Sequence, residues 1–466
     1  MKKKLLPFLL LATAATALAA CGGGDKGGDE LTGTAKAVAD ASAMSIEELE
    51  AASKAEMEAN KGDTFKVYGL TSVLKKAATA LANKYDWIKY TEGAEEGDNV
   101  YVNNGYKDYT LLTAIEPAKT TYVADFALTQ DERSIADYTQ SGILHNYVPS
   151  DLTDLGISAE DANPLKGIHF NKIFWTNKNF KNVTGLDFNN VWQLAGTSAD
   201  AKHIAKVSFQ TPLTEQINMS FLLSVLDEAQ APRLKTAYKN YYGKEWEATD
   251  KYSTIGEQWV TEFLNTVNTT GRYHDSDGSC MKQYQLQNDW NDGYVYFGAY
   301  SKMKDAAGKW LKPEGISDVS TDPVLAPLAE TSGDNAGKVN AMKTVDWDLT
   351  IDGFSGYFYT MDSQIVNNAK FPYTACLFAR YMLMPDFYKS AVYSSTTPNE
   401  DGTKGNQYGY YFPGEQGAYS ASATGVTVNS YDRTKQEWKD CSIVENFEYL
   451  SSVKSIRVAW VLSMIK

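Results

Sequence analysis

Histidine is nearly missing from this chain: His145, His169, His203 and His274 are the whole set, and each stands alone. No HExxH run, paired-imidazole spacing or GxSxG elbow occurs, so the common zinc-hydrolase and serine-hydrolase chemistries leave no signature. Cysteine is as scarce. Cys21, Cys280, Cys376 and Cys441 form no CxxC pair, which removes thioredoxin-like and zinc-ribbon readings. Cys376 lies in the apolar run TACLFARYML and reads as a buried thiol. A Cys280–Cys441 bridge stays open, because spacing alone does not decide a pairing. Basic residues are outnumbered, 44 against 58 acidic ones, and Lys2, Lys3 and Lys4 take up part of that basic share at the very start. Such a chain is a poor partner for nucleic acid or an anionic membrane surface and welcomes a cationic ligand. The plainer meaning of an acidic balance is solubility. Plentiful Asp and Glu keep a carboxylate-pair hydrolase open.

Long apolar runs are equally rare. The one that stands out, Leu5 to Leu18, follows the three lysines and is too short to span a membrane comfortably. It ends Leu18-Ala19-Ala20-Cys21, which matches a bacterial lipobox. Residues 1–20 therefore read as a signal peptide, and Cys21 as the acylated first residue of the mature chain, tethered by lipid. Residues 21–44 are poor in large apolar side chains and read as a flexible tether.

What is present is a regular alternation of strands and helices. Ser45-Ile46-Glu47-Glu48 is a capping box that opens a short charged helix. The stretch Thr64 to Tyr85 then organises the rest. Phe65, Val67 and Tyr68 read as a buried strand, Gly69 as a tight turn, and Thr71 or Ser72 as the cap of an amphipathic helix along Val73, Leu74, Ala77, Ala78, Leu81 and Tyr85. In open α/β sheets such strand-end loops bind ligands, and free amides at a helix start attract negative groups; the bland alternative is an ordinary βα turn. Further strands are expected at Thr120–Phe126, Ile168–Thr176, Ile204–Phe209 and Tyr294–Ala299. Helices are expected at Glu215–Asp227, Ala231–Tyr242, Ile255–Val267, Tyr373–Met384, Trp438–Tyr449 and Ser451–Lys466, the last docking through Val453, Ile456, Val458, Val461 and Ile465. The pattern implies an α/β fold with mostly parallel sheets, and a length better suited to two lobes than to one core. Residues 393–427 form a polar insertion, read as a functional loop or a β-hairpin decoration.

The order of these parts resembles the type II extracellular solute-binding proteins of ABC importers, in the branch with iron, thiamine and polyamine binders. The resemblance rests on Glu47 to Tyr68 as opening helix and first strand, on Gly142-Ile143-Leu144 followed by Tyr147-Val148-Pro149, and on Lys172 to Asn177. It also rests on Val191-Trp192-Gln193-Leu194, and on Asn368-Ala369-Lys370 before a helix that ends at Pro385-Asp386. It implies a two-lobed periplasmic-binding-protein type II fold, each lobe a mostly parallel sheet flanked by helices, with the ligand in the cleft between. Residues 45–167 plus 302–388 would be lobe one, and 168–301 plus 389–466 lobe two, with crossings near Phe170–Thr176, near Tyr300 and after Pro385. The implied protein is a monomeric, non-enzymatic lipoprotein with no cofactor. It would sit on the outer face of the cytoplasmic membrane or in the periplasm, passing a small solute to ABC permease subunits.

Candidate ligand contacts are loop residues at the expected strand ends: Thr71, Ser72, Phe126, Gln130, Gln210, Thr211, Tyr300, Asp352 and Phe354. Iron-binding relatives carry two adjacent tyrosines near the position of Tyr300. Here the run is Phe297-Gly298-Ala299-Tyr300, so one of the pair is missing and no metal site is assigned. Asp346, Trp347 and Asp352 suit a polyamine, and the abundant aromatics suit a sugar equally. Two other classes stay open, a surface glycan-binding lipoprotein and an anchored carboxylate-dependent glycoside hydrolase.

Overall fold

The computed structural model describes residues 31–93, 97–130, 132–155, 157–197, 199–281, 289–302, 310–311, 316, 318–346, 350–384, 387, 435–453 and 455–466. The signal peptide, Cys21 and the 393–427 insertion lie outside them, as does Trp347.

Helix α1 (Gly33–Ala43) stands where the second half of the tether was expected. Thr34, Ala37, Val38 and Ala41 recur at helical spacing and are buried. Small side chains hid this face from a reading based on large apolar residues, yet they let the helix approach its neighbour closely. Helix α2 (Ile46–Ala59) opens with the capping box: Ser45 Oγ accepts from Glu48 N at 3.2 Å, and Ser45 N donates to Glu48 Oε2 at 2.8 Å. Strand β1 (Phe65–Tyr68) and helix α3 (Val73–Lys84) follow as the sequence predicts. Gly69 is required by crowding rather than by an unusual φ: a Cβ there would meet Leu74 Cδ1 at 2.4 Å and Leu128 O at 3.2 Å.

The first half continues with β2 (Val100–Asn103), α4 (Asp108–Ile115), β3 (Phe126–Thr129), α5 (Glu132–Gln140) and β4 (Leu144–His145). β3 begins where the expected strand ends. Asp125, just before it, is pinned by the Lys66, Lys370 and Phe371 amides and the Tyr122 hydroxyl.

The second half holds β5 (Lys166–Asn177), α6 (Phe180–Thr184), β6 (Val207–Gln210), α7 (Gln216–Val225), α8 (Ala231–Tyr242), α9 (Ile255–Thr269), β7 (Arg272–His274) and β8 (Val295–Ala299). A separate pair, β9 (Trp310–Leu311) with β10 (Val339–Asn340), precedes β11 (Val345–Asp346) and the long β12 (Gly356–Val366). Helix α10 (Pro372–Tyr381) packs on α1 and α2. The chain ends with α11 (Lys435–Cys441), β13 (Ser442–Val444), α12 (Phe447–Ser452) and α13 (Ser455–Met464). The expected helix Trp438–Tyr449 is thus interrupted by a strand. On α13 Val461 is buried, but Ile456 is 71% exposed and not part of the docking face.

One sheet runs through both halves in the order β2-β1-β3-β12-β5-β8-β6-β7. β1 pairs in parallel with β2 and β3, and β6 with β7 and β8. β5 and β12 join these parallel blocks. They run antiparallel side by side, Ile173 to Lys166 against Gly356 to Asp362, with one register shift between Met361 and Asp362. The return crossing is therefore β12, not the segment near Tyr300. Among the described residues no helix is long and apolar enough to cross a membrane, and Cys280, Cys376 and Cys441 form no disulfide. The open question of a Cys280–Cys441 bridge is answered in the negative. Cys376 is buried, as its apolar run predicts.

Candidate functional site

Alternating strand directions decide where the strand-end loops meet. β3, β12, β5 and β8 are successively antiparallel, so β3 and β8 point opposite ways. The carboxyl ends of β1 and β3 therefore face those of β6 and β8 across the two long strands. The starts of α5 and α7 meet at this junction, where Arg133 Nη2 donates to Gln216 Oε1.

Five of the sequence-predicted contacts lie at or just beyond these strand ends. Thr71 is half-buried and its Oγ1 accepts from Val73 N at 3.3 Å, while Ser72 is exposed and makes no side-chain cap. Gln130 follows β3 and is half-buried. Gln210 ends β6; it is buried, and its Nε2 donates to Glu215 Oε2 and to Asp275 O, both at 3.1 Å. Thr211 follows it, half-buried, with Oγ1 accepting from Leu213 N at 3.4 Å.

The other four are placed differently, three enclosed in the core and one in a loop contact. Phe126 starts β3 inside the core, its ring 4.9 Å from Phe378. Phe354 is enclosed by Trp259 at 5.1 Å and Phe221 at 5.9 Å. Tyr300 does follow β8, but it is fully buried with its ring 5.1 Å from Trp438. Asp352 is exposed and accepts from Asn240 Nδ2 at 3.0 Å and Asn190 Nδ2 at 3.4 Å, tying a loop to α8. Strand ends and aromatic type pointed to these residues, but neither tells which way a side chain faces. Asp346 lies at the far end of β5, opposite Thr176, lining a cavity of about 470 Å3 with Phe174, Asn177 and Phe188.

The residues that sequence reasoning missed are two lysines on β5. Lys166 lies among three carboxyls from three elements: it pairs with Glu132 at the start of α5 and with Asp362 of β12 at 3.1 Å, and Glu445 adds its field. Burial opposes the lysine's charge, but Asp362 and Glu132 outweigh it and hold the pKa well up. Burial raises the Asp362 carboxyl despite Lys166, and raises Glu445, with repulsion from Glu132 adding to it. Glu132 and Asp362 are essentially fully buried, so these carboxyls offer no open face to a glycosidic bond.

Lys172 makes the matching centre in the second half. Its Nζ donates to Asn218 Oδ1 at 2.8 Å and pairs with Asp277 at 3.2 Å and Glu215 at 3.6 Å. Burial alone would raise Asp277, but Lys172 reverses this and holds the carboxyl far below its usual range. Ser208, His274 and Asp277 lie in series, with Ser208 Oγ 3.1 Å from His274 Nδ1 and His274 Nε2 3.6 Å from Asp277 Oδ1, too long for a hydrogen bond. All three are buried, so the series ties β6 to β7 rather than presenting a nucleophile. One signal was legible: Lys166 and Lys172 are six apart in an apolar strand, hence on one face. Among the described residues no group of three His, Cys, Asp or Glu could hold a metal ion.

No protein-family model and no curated protein sequence matches the chain. Solved structures do. Iron-bound HitA from Pseudomonas aeruginosa matches over 86% of this chain and 98% of its own, at 13% identity and a TM-score of 0.51. A Bordetella parapertussis protein, described as an extracellular solute-binding protein, matches over 86% of this chain and 98% of its own, at 10% identity and a TM-score of 0.50. At such identities likeness speaks for architecture alone, and the chain has the α/β fold of the type II periplasmic binding proteins.

Proposed function

We propose that the chain is the substrate-binding component of an ABC importer, a non-enzymatic receptor that captures a small solute between two lobes and delivers it to a membrane permease. The observation that carries this is the meeting of strand-end loops from two parallel blocks across β5 and β12. Contacts divided between two bodies joined by strands let a ligand stabilise the closed arrangement, and closure is then the signal a permease reads. In this reading the first lobe ends at β5 and resumes beyond β12, and the second lobe lies between these two crossing strands and takes in the C-terminal segment. Cys21 carries the lipid that keeps the receptor at the outer face of the membrane, where a tether raises its effective concentration.

HitA is iron-bound, and ferric iron is one candidate solute. A specific observation favours a small organic solute instead. Among the described residues, the acidic groups Glu132, Asp362, Glu215 and Asp277 beside the junction are engaged by the chain's own Lys166 and Lys172. Of the expected contacts, the half-buried ones at the strand ends are Thr71, Gln130 and Thr211, which are neutral. Gln130→Ala on one lobe and Thr211→Ala on the other should each weaken solute binding by about tenfold, the worth of one good hydrogen bond. Affinity unchanged in both variants by titration calorimetry would place the solute elsewhere.

A further inference from the structure

The C-terminal segment is fixed to the second half of the molecule at several points. Arg233 of α8 donates to Ser442 O, and to Asp440 O at 2.7 Å. Asn268 of α9 donates to Met464 O at 2.6 Å, and Arg457 pairs with Glu257 at 2.6 Å. From that anchorage the segment reaches back over the crossing strands. β13 adds in parallel to Gly356–Phe358 of β12. The next residue, Glu445, fills the gap along β12 between β13 and β3. Its N donates to Phe358 O at 2.8 Å, its Oε2 accepts from Thr360 N at 3.0 Å, and its Oε1 accepts from the Tyr357 hydroxyl at 3.1 Å. Lys166, Glu132 and Asp362 complete its surroundings. Helix α12 then packs on both α5 and α7, one from each half, with Leu450 fully buried and the Phe447 ring 5.8 Å from Lys166 Nζ.

We propose that residues 442–452 are an internal latch: anchored on the second half, they hold the two halves together through Glu445 and α12 without any solute. Opening the junction parts α12 from α5 or from α7, and pulls Glu445 away from Thr360 and Lys166. The latch sets how far the empty protein opens, and so how much of a solute's binding energy goes into closure. The inference rests on the reading that the two halves move relative to each other.

Small-angle X-ray scattering of the solute-free full chain tests it. Wild type should show the compact radius of gyration of this structure, Glu445→Ala a larger one, and Glu445→Gln, which keeps an acceptor for Thr360 N, the wild-type value. A folded Glu445→Ala protein with wild-type scattering would overturn the latch. Hydrogen exchange on wild type decides the matter even where Glu445→Ala does not fold. The Thr360 amide and those of α12 should exchange together, in one opening event, and α12 exchanging freely while Thr360 stays protected would overturn it. Neither readout needs a solute, so a failed latch leaves the receptor reading intact, and the latch stands or falls by these readouts even in a protein that binds no solute.

Discussion

Lys166 is the residue on which most of the junction depends. Three carboxyls converge on one ammonium group out of reach of water. Removing the cation leaves like charges buried together, which costs far more than the pair itself contributes. Lys166→Met should therefore lower the unfolding free energy by about 3–5 kcal/mol, read by urea denaturation. A loss under about 1 kcal/mol, the size of an exposed ion pair, would mean the site is wetter than it looks. The same residue marks the limit of reading from sequence. That Lys166 and Lys172 share a face follows from a period of two, but their partners come from Glu132, Glu215, Asp277, Asp362 and Glu445, far apart along the chain. Phe126, Tyr300 and Phe354 show the converse: Tyr300 follows its strand while Phe126 and Phe354 lie at or just before strand starts, and the buried orientation of all three had no local signal.

At the scale of elements, those with a complete local code were legible and those defined by a neighbour were not. β1, α3 and α8 lie where periodicity puts them, and the capping box fixes the start of α2 to the residue. β13 is three residues long and is a strand only because the edge of β12 is there to pair with. α1 is a helix whose buried stripe is made of small side chains. The start of α10 depends on another element as well. Phe371 offers no side-chain cap, and Glu56 of α2 accepts from Tyr373 N at 3.1 Å, Thr374 N at 2.8 Å and Thr374 Oγ1 at 2.8 Å. Glu56→Ala should cost about 1–2 kcal/mol, as loss of an N-cap does, and thermal unfolding would show it. The crossing strands have their own weak point. A Cβ on Gly356 would lie 2.1 Å from Lys172 O, so Gly356→Ala must push β12 from β5, with an expected loss of about 1–3 kcal/mol. A wild-type melting curve for that variant would show that the two strands are not held in this register.

For the whole molecule, several buried carboxyls set a common pH dependence. Burial raises Glu56 and Glu262 to about 7 and Asp125 to about 6, from ordinary values of 4.5 for Glu and 3.8 for Asp. The native state thus holds protons that the unfolded chain has already released, and stability falls as pH rises between those values. Asp277, held low by Lys172, acts in the opposite sense, and its contribution disappears as pH falls below 3.8. Stability should therefore be greatest near pH 4 to 5 and decline toward pH 7 to 8, which denaturation midpoints across that range would check. A flat or rising profile would mean these carboxyls ionise freely in the folded protein. The fold class was legible at this scale from alternating strands and helices. The continuity of one sheet through both halves was not, because it depends on β5 and β12 pairing across almost two hundred residues of chain.

The central claim is that the junction of the two halves is a solute site, and thermal unfolding against a panel of ferric citrate, polyamines, thiamine, sugars and amino acids tests it most directly. A solute held at a hundred times its dissociation constant should stabilise the protein by about 2.7 kcal/mol, without being chemically changed. Unshifted unfolding with every member of the panel, together with product released from a glycan, would contradict the account and favour an anchored hydrolase.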